Sequence, residues 1–200
     1  MIDFDKILFN IDIASGMPNQ GALLVAEPFL KDQYFGHSVI FLVDYAPMGN
    51  AMGIVVNTPT AYTLQGLVKG IIREEGIPVW CGGPMSCDRL YYIHTLGRLI
   101  PGSREIVPGV FIGGDFDAMT EYVNSGCQIK GCLRFFIGYS GWSPGQLDDE
   151  IRNNVWAVMD LPSVNGLMLD PDDSYWHRHV RMLGDDFRGW LYHPRNPQFN

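Results

Sequence analysis

The residues of this chain whose types and spacing could do chemistry gather in residues 133–158. Glu150 and Asn154 are four residues apart and follow a glycine-rich turn. A carboxylate and an amide at this spacing lie on one side of a helix, and burying either without a partner is costly. Two interpretations stay open. The pair ties down a neighbouring loop, or it forms the polar wall of a pocket near Tyr139 and Trp142, with Glu150 as a general acid or base.

A strand and a turn must position these side chains. The apolar run 133–137 predicts a buried strand, which Gly138 and Gly141 are expected to break. Ser140 lies in the turn, but a serine nucleophile elbow has the pattern G-x-S-x-G and Trp142 occupies its last place. The pattern therefore disfavours a serine nucleophile.

The helix that follows has a strong start signal. Ser143 is a candidate cap, Pro144 suits the first helical position, and Gln146 completes a capping box with Ser143. We expect the helix to continue to residue 158, which places Trp156 on the side opposite its apolar residues. Those apolar residues are Leu147, Ile151, Val155 and Val158.

Five further residues are candidates for binding a ligand or a partner. Gly82 and Gly83 form a turn whose amides either serve the turn itself or face a ligand. Asn57 is a loop amide that bonds backbone or touches the ligand. Arg89 and His94 are able to pair with carboxylates, although a histidine on an apolar strand is more often a satisfied core residue. These five residues, together with Tyr139, Trp142, Gln146, Glu150 and Asn154, are predicted to form one recognition surface.

Charge and cysteine spacing exclude several classes of function. The formal net charge is -8 and the sequence pI is about 4.9, which disfavours direct nucleic-acid binding because that binding depends on phosphate neutralisation. The spacings of Cys81 with Cys87 and of Cys127 with Cys132 do not match zinc knuckles. We therefore predict no metal and no cofactor, and reduced cysteines in the cytoplasm. The sequence has neither a basic signal region nor an apolar run long enough to span a membrane.

The remaining pattern predicts one α+β domain, with an N-terminal extension over residues 1–20 and a C-terminal helix and tail over residues 170–200. Short apolar runs separated by turn residues predict mostly antiparallel strands, and helices follow later in the chain. The expected strands cover 22–26, 38–43, 51–56, 91–94 and 110–112, and a polar loop is expected over 97–108. The expected helices begin near residues 4, 64, 115 and 175.

Three motifs together resemble the bacterial YqgE/AlgH family, over roughly residues 21–169. They are Gly49-Asn50-Ala51-Met52-Gly53-Ile54-Val55-Val56-Asn57-Thr58-Pro59; Gly82-Gly83-Pro84-Met85 with Arg89 and His94; and Gly138-Tyr139-Ser140-Gly141-Trp142 with Gly145-Gln146-Leu147 and Glu150. The resemblance implies a mixed, mostly antiparallel bifurcated sheet curled into a pseudo-barrel with flanking helices. It also implies a label as a transcriptional regulator without a settled biochemical activity. Asp148 and Ser140 depart from the usual Glu and Ala of the family.

Two hypotheses of function follow. The first is a binding or regulatory protein that recognises an unknown small molecule or protein and affects transcription indirectly, because no nucleophile–base pair or metal set can be assembled. The alternative is a small-molecule enzyme with Glu150 as general acid or base near the Gly82-Gly83 turn, assisted by His94 or Arg89.

Overall fold

The computed structural model describes residues 16–30, 32 and 34–192. The strands are β1 (Leu23–Ala26), β2 (Val39–Tyr45), β3 (Ala51–Val55), β4 (Pro59–Thr63), β5 (Pro78–Cys81), β6 (Met85–His94), β7 (Arg104–Val107), β8 (Val110–Ile112), β9 (Leu133–Trp142) and β10 (Trp156–Met159). The helices are α1 (Leu64–Leu67), α2 (Phe116–Asn124), α3 (Gln146–Arg152), α4 (Val164–Met168) and α5 (Tyr175–Leu183), with 3-10 turns at Gly97–Leu99 and Asp185–Tyr192. The helix predicted near residue 4 and tail residues 193–200 lie outside the described residues.

The strands form a mixed and mostly antiparallel sheet in the order β10-β1-β2-β3-β9-β6-β8-β7. β5 pairs with β9 in the parallel direction, and β4 pairs with β5. These two strands form a branch beside the main order of strands. The sheet curls until β7 lies beside the start of β1. There, Gln20 Nε2 donates to the Ile106 carbonyl at 2.9 Å, and Arg104 Nη2 donates to the Val43 carbonyl at 3.0 Å. The α+β class and the curled sheet are therefore confirmed.

β9 is the strand at which the sheet divides. Its first half pairs with β5 on one side and β6 on the other, whereas its last residues pair with β3, as in Gly53 opposite Ser140. The prediction that Gly138 and Gly141 break the strand was wrong, because β9 runs through both. Gly138 has φ +70°, and a Cβ there would lie 2.4 Å from the Gly83 carbonyl oxygen. Glycine here bends the strand and admits a neighbouring backbone.

Alternating side chains of the central strands fill cores on both sides of the sheet. One core contains Leu23, Phe41 and Phe136 and is covered by α5, whose Trp176 donates its indole N–H to the Ala26 carbonyl at 2.9 Å. The opposite faces of these strands pack against α3 and the indoles near it. That second core is made of Leu24, Ile40, Val55, Trp142, Leu147 and Trp156 among others. α2 covers a third cluster around Phe135.

Local signals predicted some elements correctly and others wrongly. Asp115 caps α2 as expected, since its Oδ1 accepts from Ala118 N at 2.8 Å. The helix predicted from residue 64 is a single turn, because Gly70 adopts φ +91° and Gln65 bonds the backbone of residues 73–77 instead. The segment predicted as the polar loop 97–108 contains β7, which pairs with β8.

Candidate functional site

The three sequence motifs meet at the fork of the sheet. The first motif contacts the third where Ala51 pairs with Trp142, and where Gly145 N donates to the Gly49 carbonyl at 3.2 Å. The second motif lies against both others. Val55 N donates to the Gly82 carbonyl at 2.9 Å, and Met85 pairs with Tyr139. Segments far apart in sequence thus form one structural unit.

An open cleft of ≈ 350 Å³ lies where the motifs meet. We call it the motif cleft, and every motif contributes to its wall. It is lined by Asp44, Asn50, Ala51, Met52, Met85, Tyr139, Gly141, Trp142 and Ser143. Among the ten residues predicted for the recognition surface, Tyr139 and Trp142 line this cleft, and Tyr139 also packs edge-on against Tyr91 with ring centroids 5.6 Å apart.

Glu150 holds two tryptophans together. Its Oε2 accepts the indole N–H of Trp142 at 2.8 Å and that of Trp156 at 2.7 Å, and Gln146 Nε2 donates to Oε1 at 2.9 Å. The two indole rings meet edge to face, 6.1 Å apart, and both are buried. We call Glu150, Trp142 and Trp156 the indole clamp. Both oxygens of this carboxylate therefore serve the connection between β9, α3 and β10.

The helix that carries Glu150 is shorter than predicted, and both of its ends differ from the expectation. Gly145 is the N-terminal boundary residue, and the side chain of Ser143 makes no cap, although Ser143 N donates to Gln146 Oε1 at 3.0 Å. α3 ends at Arg152, so Trp156 and Val158 lie on β10 rather than on a helical face.

Asn154 ends α3 through its backbone. Its φ is +58°, its N–H donates to the Ile151 carbonyl, and Val155 N donates to the Glu150 carbonyl, both at 3.0 Å. This pattern is a Schellman motif, in which asparagine tolerates the left-handed conformation better than most residues. The reversal returns the chain as β10 and brings Trp156 to Glu150.

Gly82 and Gly83 are buried beneath β9 and do not open onto solvent. Gly82 N donates to the Ile137 carbonyl at 2.8 Å, and a Cβ on Gly82 would lie 2.3 Å from the Gly138 carbonyl oxygen. Ser140 is also buried, and its hydroxyl donates to the Gly82 carbonyl at 3.3 Å. These residues permit the close crossing of two backbones.

Asn57 and Arg89 lie away from the indole clamp. Asn57 joins two segments of backbone, because its Oδ1 accepts from Val39 N at 2.8 Å and its Nδ2 donates to the His37 carbonyl at 2.9 Å. It borders a separate cavity of ≈ 130 Å³ beside Trp176. Arg89 is exposed on the irregular stretch of β6 between its paired residues Met85 and Leu90.

His94 is a neutral core residue at the far end of β6. Its side chain is fully buried, its Nε2 lies 3.0 Å from the Gly113 carbonyl oxygen, and Leu96 N donates to its Nδ1 at 3.3 Å. Desolvation lowers the pKa of His94, partly opposed by the bond to Gly113. These contacts fix the tautomer with the proton on Nε2, which donates to Gly113. Both ring nitrogens are therefore used inside the fold.

Sequence reasoning missed the connection between Tyr45 and Asp148. Tyr45 Oη donates to Asp148 Oδ1 at 2.6 Å, and Met48 N donates to Oδ2 at 3.2 Å, which fastens the β2–β3 hairpin to α3. Desolvation, together with the adjacent Asp148 carboxylate, raises the pKa of Tyr45 to about 12. The pairing spans too much sequence for any local pattern to indicate it. Asp148 thus has a structural partner.

Arg134 was also missed, although it left a signal in the sequence. It is a charged residue inside the apolar run of β9, and its side chain is buried. Its guanidinium donates to the carbonyls of Leu167 and Val56, both at 2.7 Å. A charge at an inward-facing strand position needs such partners. A charged residue within an apolar run therefore predicts a buried side chain with polar contacts.

Over the described part of the chain, no group of three or more His, Cys, Asp or Glu side chains is arranged to hold a metal ion. The four cysteines are free thiols, with Cys87 and Cys127 exposed. None of the helices between residues 16 and 192 that the structure describes is long and apolar enough to cross a membrane.

Comparisons with known proteins agree with this architecture. The family model described as AlgH-like (DUF179) matches residues 23–188. A UPF0301 protein of Parabacteroides distasonis is 39% identical over 196 residues, which cover 98% of each chain. A UPF0301 protein of Bacteroides fragilis is 39% identical over 193 residues, covering 96% of this chain and 97% of the relative.

Two solved structures share the fold. The solution structure of the AlgH protein from Pseudomonas aeruginosa superposes with a TM-score of 0.68 at 22% identity, covering 86% of this chain and 94% of that one. A crystal structure of a Corynebacterium diphtheriae protein gives a TM-score of 0.71 at 19% identity, covering 92% and 96%. With the match of the family model over most of its length, the chain belongs to the AlgH-like family.

Proposed function

We propose that this protein is a non-catalytic binding protein of the bacterial cytoplasm that regulates by engaging a protein partner through the motif cleft. The observation that carries the proposal is the internal use of its best acid–base candidates. Both oxygens of Glu150 accept hydrogen bonds within the fold, and both nitrogens of His94 are bonded to backbone. Neither group is left to exchange a proton with a substrate.

The lining of the motif cleft favours a protein partner. Met52, Met85, Tyr139 and Trp142 give it thioether and aromatic surfaces. Methionine side chains adapt to differently shaped apolar groups, and methionine and aromatic residues are enriched at protein interfaces. An apolar side chain of the partner is the expected occupant.

Charge adds a second requirement for the partner. Asp44 is exposed at the wall of the cleft, and the protein as a whole carries a formal charge of -8. A partner segment with basic residues around its apolar anchor is attracted to such a surface, whereas DNA and RNA are repelled. An effect on transcription is therefore expected to pass through a protein and not through direct DNA contact.

The test compares affinity purifications of the wild-type protein and three variants from cells of the source organism. Met85→Asp places a charge in the motif cleft, Met182→Asp makes the same change at an exposed methionine of α5, and Glu150→Gln removes the carboxylate charge. The proposal requires a partner that is kept by Met182→Asp and Glu150→Gln and lost by Met85→Asp. Reconstituting that complex from purified components then measures the affinity.

Two results would reject the proposal. Partner recovery that is unaffected by Met85→Asp would remove the motif cleft as the binding surface. Turnover of a small molecule by the purified protein, abolished in a folded Glu150→Gln variant, would establish instead the alternative of an enzyme with Glu150 as acid or base.

A further inference from the structure

Arg134 is a buried cation that forms no close ion pair in the described structure, although Asp170 attracts it from beyond ion-pair distance. Its side chain is 3% exposed, and the ion pairs of the described residues involve other arginines. Two of its N–H groups donate to the carbonyls of Leu167 and Val56, whereas Nε is buried with no hydrogen-bond partner in the described structure. The guanidinium carbon lies 5.1 Å from the ring centroids of both Trp80 and Phe136.

This arrangement is energetically incomplete. Carbonyl dipoles and aromatic faces compensate part of the lost hydration of a guanidinium, but a buried charge usually has a counter-ion and a buried donor an acceptor. Desolvation lowers the pKa of Arg134 to about 10, which leaves it charged at neutral pH. Attraction to Tyr175 and Asp170 opposes part of this lowering, but no carboxylate of the described chain comes within ion-pair distance of Arg134.

Arg134 lines a cavity of ≈ 400 Å³ that is separate from the motif cleft. The cavity is large enough for a small organic molecule. Arg73 and Lys130 contribute two more cations to its wall, and Glu75 and Asp170 two acids. Because Arg73 pairs with Glu75 at 3.1 Å, the charges outside that ion pair are Arg134 and Lys130 against Asp170, which attracts Arg134. The cavity is thus net positive in a protein that is strongly negative overall.

The cavity also has an apolar side. Trp80, Leu133 and Met168 belong to the hydrophobic cores and reach its wall, next to Ile77. A ligand with an anionic head and a compact apolar body matches both parts of this lining, because the head meets the cations while the body is removed from water.

We propose that this cavity binds a small organic oxyanion, a carboxylate or phosphate monoester on a compact apolar group, with Arg134 and Lys130 as its counter-charges. Arg134 connects β9 to the end of β3 and to α4 through its two carbonyl contacts. A bound anion would therefore reinforce a junction in the core, apart from the motif cleft.

Isothermal titration calorimetry at fixed ionic strength tests the site, with benzoate and phenyl phosphate as probes and benzyl alcohol as the uncharged control. We expect saturable binding of at least one anion with a dissociation constant below about 1 mM, and binding of benzyl alcohol at least tenfold weaker. Lys130→Glu should weaken anion binding at least fivefold, since it reverses one of the two cations outside the Arg73–Glu75 ion pair. Asp170→Asn should tighten it, because it removes the acid that competes with the ligand for Arg134.

Arg152→Glu is the matched control for Lys130→Glu, since it makes the same type of charge reversal on the exposed surface of α3 and should leave the affinity within twofold. Arg134→Met should abolish binding if it folds by circular dichroism, and the Lys130 and Asp170 variants decide the matter if it does not. The proposal is overturned if neither anion saturates, if benzyl alcohol binds as tightly, or if Lys130→Glu and Asp170→Asn leave the affinity unchanged.

Discussion

The indole clamp makes a quantitative prediction about Glu150. Replacing Glu150 with alanine leaves the indole N–H groups of Trp142 and Trp156 without their acceptor, in two rings that are 6% and 2% exposed. Replacing it with glutamine keeps an acceptor oxygen for the two indoles, while it removes the charge and the second acceptor, which Gln146 Nε2 uses. The alanine variant should therefore be much less stable than the glutamine variant.

The magnitude follows from the two hydrogen bonds. A bond to a charged group contributes about 1.5–3 kcal/mol, and the lower end applies because Glu150 is only half-buried. Glu150→Ala should then reduce the free energy of unfolding by about 3 kcal/mol, which lowers the thermal midpoint by roughly 6 to 12 °C for a chain of this length. Glu150→Gln should lose only about 1 kcal/mol, since neutral hydrogen bonds remain.

Urea unfolding followed by far-ultraviolet circular dichroism measures these differences, and near-ultraviolet dichroism reports the packing of the indoles. Asp149→Ala is the control on the same helix, because Asp149 is exposed and pairs with Arg152 at the surface; it should change stability by less than about 1 kcal/mol. The reasoning is refuted if Glu150→Ala unfolds at the wild-type midpoint, or if Glu150→Gln is as unstable as the alanine variant.

Three other predictions concern the backbone and the core. Asn154→Gly should be neutral within about 0.5 kcal/mol, whereas Asn154→Val should lose at least roughly 1 to 2 kcal/mol in urea unfolding, because a branched residue resists φ +58°. Gly82→Ala should lose about 2 kcal/mol or more, since its Cβ meets backbone, while Gly189→Ala, with open space around it, should not. Because the pKa of His94 is lowered by burial, the unfolded chain takes up its proton first, and stability should fall as pH drops below about 6.5. His94→Gln should make that fall shallower by up to about 1.4 kcal/mol per pH unit in pH-dependent urea titrations, and an unchanged slope would contradict the assignment.

Elements set by their own residues were predictable from the sequence. α2 begins where Asp115 offers a cap, and β1 to β3 appear where short apolar runs alternate with turn residues. The general need of Glu150 for a partner also followed from its place beside an apolar stripe. In each case the physical cause lies within a few residues of the effect.

Features that depend on distant segments were not predictable in this way. Gly138 resembles a strand break until Gly83 is placed against it, and then it is the residue that lets β9 continue. The helical wheel of α3 was extended through Asn154, which put Trp156 on the wrong side and concealed the partner of Glu150. The left-handed conformation of Asn154 is a local feature, but it leaves no hydrophobic periodicity from which the sequence could have indicated the end of the helix.

The position of β1 between β2 and β10 has a consequence for synthesis on the ribosome. Its neighbour β2 is synthesised soon afterwards, but Trp156, the partner of Ala26 in β10, lies about 130 residues further along the chain. Synthesis of those residues takes roughly 7 to 26 s at ordinary rates of translation. During that interval, one side of the sequence Leu-Leu-Val-Ala is an unpaired apolar edge in a growing chain. Nascent-chain binding factors are therefore expected to hold the first third of this protein until β10 has been synthesised.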